Sequence, residues 1–170
     1  MTMAFSEGRA EGNPLLRLMF YRPEIPSNTG NALRLAAALG AELHLVRPLG
    51  FRTDDAALKR AGLDYAELSR LVVHVDLAAA WAAIGDARVF AFTSRGSVLH
   101  TEVSYRSGDV LLFGPEPTGL PAEVLADTRV SEQVRIPMVA GVRSLNLANA
   151  AAIAGYEAWR QLKFRGSESA

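Results

Sequence analysis

Cysteine is absent from the 170-residue chain. That excludes a disulfide framework, zinc sites with thiolate ligands, iron–sulfur clusters and thiol nucleophiles. Net charge is absent too. Lys+Arg 18 and Asp+Glu 18 balance, which counts against a non-specific polyanion binder. Lysine occurs only at Lys59 and Lys163, and compositional bias is the plain explanation. His44, His74 and His100 have no metal-ligand spacing, so no metal is expected. No run reaches the roughly eighteen apolar residues of a membrane span. The most apolar stretch, Leu145–Tyr156, is broken by Asn146, Asn149 and Gly155. Met1–Pro14 is polar and reads as a flexible extension (1–14), not a signal peptide. A cytoplasmic protein is expected. No Gly-x-Ser-x-Gly elbow supports a hydrolase.

What is present is the composition of a packed domain, with 49% hydrophobic and 21% charged residues. Apolar runs at Leu15–Tyr21, Glu42–Val46, Leu71–Val75, Arg88–Thr93, Asp109–Phe113 and Val134–Pro137 read as strands. Between them, helical patterns run through Leu33–Leu39 with a stop at Gly40, Asp54–Arg60, Leu77–Ile84 and Pro121–Ala126. The last and longest helix is Ser144–Phe164. Glu24–Asn31 reads as a turn. This alternation implies an α/β fold with a parallel, doubly wound sheet. One domain over 15–165 is expected, with 166–170 as a frayed tail.

Three loops carry candidate chemistry, and each follows a strand, where open parallel sheets bind ligands. The first, Glu24–Asn31, leads to Arg34. It offers Asn28, Thr29 and Asn31 at a helix N-terminus, which suits a phosphate, and a guanidinium that can clamp an anion. Its structural alternative is N-capping by Asn28 or Thr29 with a solvated Arg34. The second, Phe113–Pro121, has Gly114 and Gly119 for close approach or positive φ, and Glu116 to orient a ligand or cap a helix. It lacks the ending of a P-loop and the spacing of a dinucleotide fingerprint. The third joins Ile136-Pro137-Met138 to Arg143–Ala150. Ser144 is a natural N-cap there, and Asn146 and Asn149 sit three apart. These amides satisfy an unusual backbone crossing or touch a ligand.

Together, EIPSNTGNALR (Glu24–Arg34), LLFGPEPTGLP (Leu111–Pro121) and IPMVAGVRSLNLANA (Ile136–Ala150) resemble the SPOUT superfamily, in its TrmH-like branch. RPLGF (Arg47–Phe51), RAGLDY (Arg60–Tyr65) and YEAWRQL (Tyr156–Leu162) are most similar to its small bacterial TrmL-type members. The resemblance spans residues 15–163. It implies a C-terminal deep trefoil knot and S-adenosyl-L-methionine as cofactor, leaving as S-adenosyl-L-homocysteine. It also implies 2′-O-methylation of the ribose at the wobble nucleotide, position 34, in a tRNA anticodon stem-loop. Phe92, Gly114, Glu116, Ile136, Ser144 and Leu145 would line the cofactor pocket. Arg34 would act on the ribose hydroxyl, as base or electrostatic clamp, and would meet the cofactor of the other subunit in a homodimer. Asn28, Glu116, Ser144 and Asn146 would shape the catalytic site. The chain departs from the family pattern at Pro117 and Thr118, where an arginine is common, and at Ala148, where serine is usual. Another tRNA or rRNA site, and a non-catalytic RNA-binding module, are the alternatives.

Charge by region favours RNA more than the total does. Residues 1–60 and 131–170 each carry about +2, and the middle carries about −4. A basic patch is expected around Arg22, Arg34 and Arg143.

Overall fold

A computed structural model describes residues 14–53, 64–68 and 70–168. The expected N-terminal extension (up to residue 13), the Asp54–Arg60 helix and the last two residues of the tail lie outside the described residues. Seven strands form one sheet: β1 (Arg17–Tyr21), β2 (Glu42–Val46), β3 (Leu71–His74), β4 (Val89–Phe92), β5 (Val98–Leu99), β6 (Val110–Phe113) and β7 (Val130–Arg135). Their order is β3-β2-β1-β6-β4-β7-β5, and every pair is parallel. The helices are α1 (Pro26–Leu39), α2 (Tyr65–Leu68), α3 (Leu77–Ile84), α4 (Ala122–Leu125) and α5 (Leu147–Gln161).

The central strands β1, β4 and β6 are buried at every position, because both sheet faces are covered. Hence they read as unbroken apolar runs. On one face Leu18, Phe20, Leu43, Leu45 and Leu111 pack with Leu33 and Leu39 of α1 and Ala151 and Ala154 of α5. On the other, Met19, Tyr21, Val46 and Leu112 pack with Ala80 and Ile84 of α3 and Val124 of α4. Helix α1 ends where a left-handed residue is needed. Gly40 has φ 66, and its N–H reaches the carbonyls of Ala36 and Ala37.

Four expectations change. First, Glu24–Asn31 is not a free turn, because α1 begins at Pro26, where proline is tolerated at the first helical position. Second, the six expected strands become seven, because Val98–Leu99 forms a two-residue strand paired with β7. Third, β7 begins at Val130 rather than Val134. Finally, α5 spans Leu147–Gln161 instead of Ser144–Phe164, and its N-cap is Asn146 rather than Ser144.

His44 and His74 are buried on neighbouring strands, with Nδ1 of His44 2.9 Å from Nε2 of His74. Nε2 of His44 lies 3.0 Å from Glu42. Burial first, and then the neighbouring His44, lower the pKa of His74 to about 4. The unfolded chain therefore binds this proton near pH 6.5 while the folded chain does not. Stability is expected to fall as pH drops from about 6.5 to about 4, and no further from this group below that. His74→Gln should flatten this part of the urea-midpoint profile. An unchanged slope would exclude His74 as its source.

Candidate active site

The order β1-β6-β4-β7 places the ends of four adjacent strands side by side. The loops after β1, β6 and β7 therefore open at one edge of the sheet, where parallel α/β proteins bind ligands. A chain of side-chain hydrogen bonds ties the three together. The Glu116 carboxylate accepts from the Glu24 amide (2.7 Å), the Ile25 amide (3.0 Å) and Asn28 Nδ2 (3.2 Å). Asn28 Oδ1 accepts from Asn146 Nδ2 at 2.9 Å. Asn146 Oδ1 then accepts from the amides of Ala148 and Asn149, capping α5.

This network explains the local structure of each loop. Helix α1 has no side-chain N-cap of its own, since its N-cap residue is Ile25. The anion at its start is Glu116, delivered from the loop after β6. Its carboxylate bonds the two residues that lead into the helix and sits near the positive end of the helix dipole. Burial raises the Glu116 pKa. Hydrogen bonds from the Glu24 amide, its own amide, Asn28 and the Ile25 amide outweigh that and hold the carboxyl below its usual range. Asn28 is buried and spends both ends of its amide on Glu116 and Asn146. The neighbouring Thr29 hydroxyl is buried with no hydrogen-bond partner.

Arg34 is not brought to this network within one chain. Asn28, Thr29, Ala32, Leu33 and Ala36 form the buried face of α1, whereas Ser27, Asn31, Arg34 and Ala38 are exposed on the other. The Arg34 side chain is 57% exposed, and its Nε lies 3.6 Å from Glu67. Of the expected basic patch, Arg22 and Arg143 are exposed, and Arg34 is exposed but shares its charge with Glu67.

The residues expected around a cofactor divide by role. Phe92 is buried and stacks on Phe113 at 4.7 Å, so its ring belongs to the core. Ile136 packs on the same cluster. Gly114 has no room for a side chain. A Cβ there would lie 2.2 Å from the Leu120 amide nitrogen and 2.3 Å from the Gly119 carbonyl carbon. Its loop closes on itself for that reason, with Gly119 at φ 69. Ser144 and Leu145 are exposed in the 137–146 loop. Among the described residues no backbone hydrogen bond joins 137–145 to the rest of the chain. These amides and carbonyls remain available, beside the exposed apolar side chains of Met138, Val142 and Leu145. Free backbone groups next to apolar surface suit a nucleoside cofactor of the expected kind. The residues present therefore fit S-adenosyl-L-methionine. Among the described residues there is no group of three His, Asp or Glu that could hold a metal ion, and no helix is long and apolar enough to cross a membrane.

Two contributions were not marked in the loops themselves. The Glu24 and Ile25 amides act through their backbone, which side-chain identity does not reveal. Gly96 lets the segment after β4 meet β7, since a Cβ there would lie 2.5 Å from the Val134 carbonyl carbon.

Known proteins share this architecture and sequence. A tRNA (cytidine(34)-2′-O)-methyltransferase of Methylovorus glucosotrophus is 49% identical over 150 residues, covering 88% of this chain and 97% of that protein. The Escherichia coli K12 protein of the same name is 48% identical over 153 residues, covering 90% of this chain and 98% of its own. A solved structure concerned with 2-OH methylation of C/U34 on tRNA superposes with TM-score 0.81 at 54% identity, covering 91% of this chain and all of that one. The SpoU methyltransferase AviRb of Streptomyces viridochromogenes, solved with AdoMet, superposes with TM-score 0.73 at 28% identity, covering 93% of this chain and 61% of its own. The model of the SpoU rRNA methylase family matches residues 15–156, and the chain belongs to that family.

Proposed function

We propose that this protein transfers a methyl group from S-adenosyl-L-methionine to the ribose 2′-hydroxyl of the wobble nucleotide, position 34, of tRNA. The observation that carries the reading is the Glu116–Asn28–Asn146 network, which joins all three motif loops at one edge of the sheet. The relatives that cover most of this chain at about half identity carry that activity in their names.

S-adenosyl-L-methionine supplies an electrophilic sulfonium methyl when bound. The 137–145 loop would hold it through backbone groups, with Leu145 and Ile136 against its apolar parts and Gly114 shaping the wall. A ribose hydroxyl is a weak nucleophile at neutral pH, so its oxygen must be aligned and its developing charge stabilised. Arginine keeps its proton in proteins. Arg34 therefore serves as a fixed cation at the developing alkoxide while the hydroxyl proton is released to solvent, and Asn28, Glu116 and Asn146 position the helix that carries it.

Arg34 faces away from the network of its own chain, so the reading requires a second copy. Large apolar side chains support a homodimer. Ile25 at the start of α1 is 45% exposed, and Ile153 and Tyr156 on α5 are 39% and 46% exposed. Ile153 and Tyr156 are three apart and share a face. Helices α1 and α5 pack on each other, which places these residues on neighbouring elements.

The test is transfer of labelled methyl from the cofactor to unfractionated tRNA, with Arg34→Ala alongside. The variant should lose about 100-fold in kcat while binding S-adenosyl-L-homocysteine and folding as before. Equal activity would remove Arg34 from the reaction.

A further inference from the structure

The sheet edge that holds the network also holds an open cavity that no part of the reaction above uses. It has a volume of about 520 Å³ and is lined by Arg22, Glu24, Pro48, Leu49, Gly50 and Pro115. That volume lies within the usual range of ligand clefts, roughly 300–1,000 Å³. Its walls pack closely on one another. The Gly50 amide donates to the Pro23 carbonyl at 3.0 Å, and a Cβ on Gly50 would lie 2.7 Å from the Glu24 Cα. The Glu24 amide is the one Glu116 binds, and Pro115 precedes Glu116. The cavity therefore adjoins the network directly.

Arg22 is its unusual member. Its φ is 51, a left-handed conformation rare for any residue but glycine, and it stands before Pro23, where an extended conformation is normal. Its amide donates to the Val46 carbonyl at 2.9 Å, which pins this backbone. Its guanidinium lies over the Tyr21 ring, 4.9 Å from the centroid. Among the described residues it makes no ion pair, although Glu24 lines the same cavity. A strained backbone that holds an unpaired guanidinium at a cavity beside an active site marks a binding role.

We infer that this cavity receives a nucleotide of the substrate RNA next to the one methylated, with Arg22 bonding its phosphate. The occupant follows from the wall chemistry. A guanidinium fork matches phosphate oxygens. Pro48, Leu49 and Pro115 offer an apolar surface to a base. Glu24 can accept from a base N–H, and its charge keeps the phosphate on the Arg22 side. The inference rests on RNA being the substrate and adds where a flanking nucleotide sits.

The strain supplies a test that separates binding from folding. Arg22→Gly suits φ 51 and should fold with an unchanged or higher melting temperature. It should weaken tRNA binding about tenfold, a charged hydrogen bond lost. The slope of log affinity against log salt should fall by about one. KM for tRNA should rise about as much as binding weakens, with kcat within about twofold. Arg22→Lys, which keeps the charge without the fork, should fall between. Wild-type tRNA affinity and salt slope in Arg22→Gly would overturn the inference. If the wild type binds tRNA through Arg22 yet transfers no methyl group, the proposed reaction fails and the phosphate site stands.

Discussion

Gly114→Ala is expected to break the loop between β6 and α4 and to abolish cofactor binding. The added Cβ would lie 2.2 Å from the Leu120 nitrogen, 2.3 Å from the Gly119 carbonyl carbon and 2.8 Å from its oxygen. All three are backbone atoms, so no side-chain rotation relieves the contact. Leu120 is buried in the second core and cannot withdraw without exposing its side chain, which alone costs about 2 kcal/mol. Together with the displaced loop, a loss of about 4 kcal/mol is expected. Urea unfolding measures the loss of stability, and calorimetric titration with S-adenosyl-L-homocysteine measures the loss of the site. Binding at wild-type affinity would show that this loop does not form the cofactor wall.

The second large effect is expected at Glu116. Alanine there leaves the amides of Glu24 and Ile25 and the side chain of Asn28 without their shared acceptor. Water can reach part of this exposed end of α1, so a loss of about 2 kcal/mol is expected rather than the sum of three buried bonds. Activity should suffer more than stability. Once Asn28 loses Glu116, its link to Asn146 is no longer held, and α1, with Arg34, can shift against the third loop. A displacement of about 1 Å is enough to lose about 100-fold in rate. Glu116→Gln keeps the size and one acceptor oxygen, and should lose less on both counts. Acid dependence gives a further check. The folded carboxyl is held below its usual range, so its stabilisation is present at neutral pH and is lost as pH falls through the folded value. Glu116→Ala should therefore lose less stability on acidification than the wild type. An equal loss would place the acid-sensitive group elsewhere.

Features set locally were legible in the sequence. The buried strands show as apolar runs, and Gly40 ends α1 because a left-handed C-cap selects glycine. The three motifs and their resemblance also marked the sheet edge where the loops meet. Features set by partners far along the chain were not legible. Pro26–Asn31 reads as a turn because it is rich in Pro, Ser, Asn and Gly, yet it is helical. The amides of Glu24 and Ile25, which lead into it, are held by Glu116, about ninety residues away. Ser144 and Asn146 are both good caps by type. The structure selects Asn146, whose other end bonds Asn28. Strand β5 has only two residues, too few for a periodic signal, and pairing with β7 creates it. The role of Arg34 is the least local of all, because its face of α1 points away from the network of its own chain.

Mapping the methylated nucleotide tests the central claim most directly. After transfer from labelled cofactor to tRNA, nuclease digestion and mass spectrometry of the fragments locate the methyl group. The account predicts a single new 2′-O-methyl ribose at position 34. A methyl group on a base, or on the ribose of another nucleotide, would contradict it.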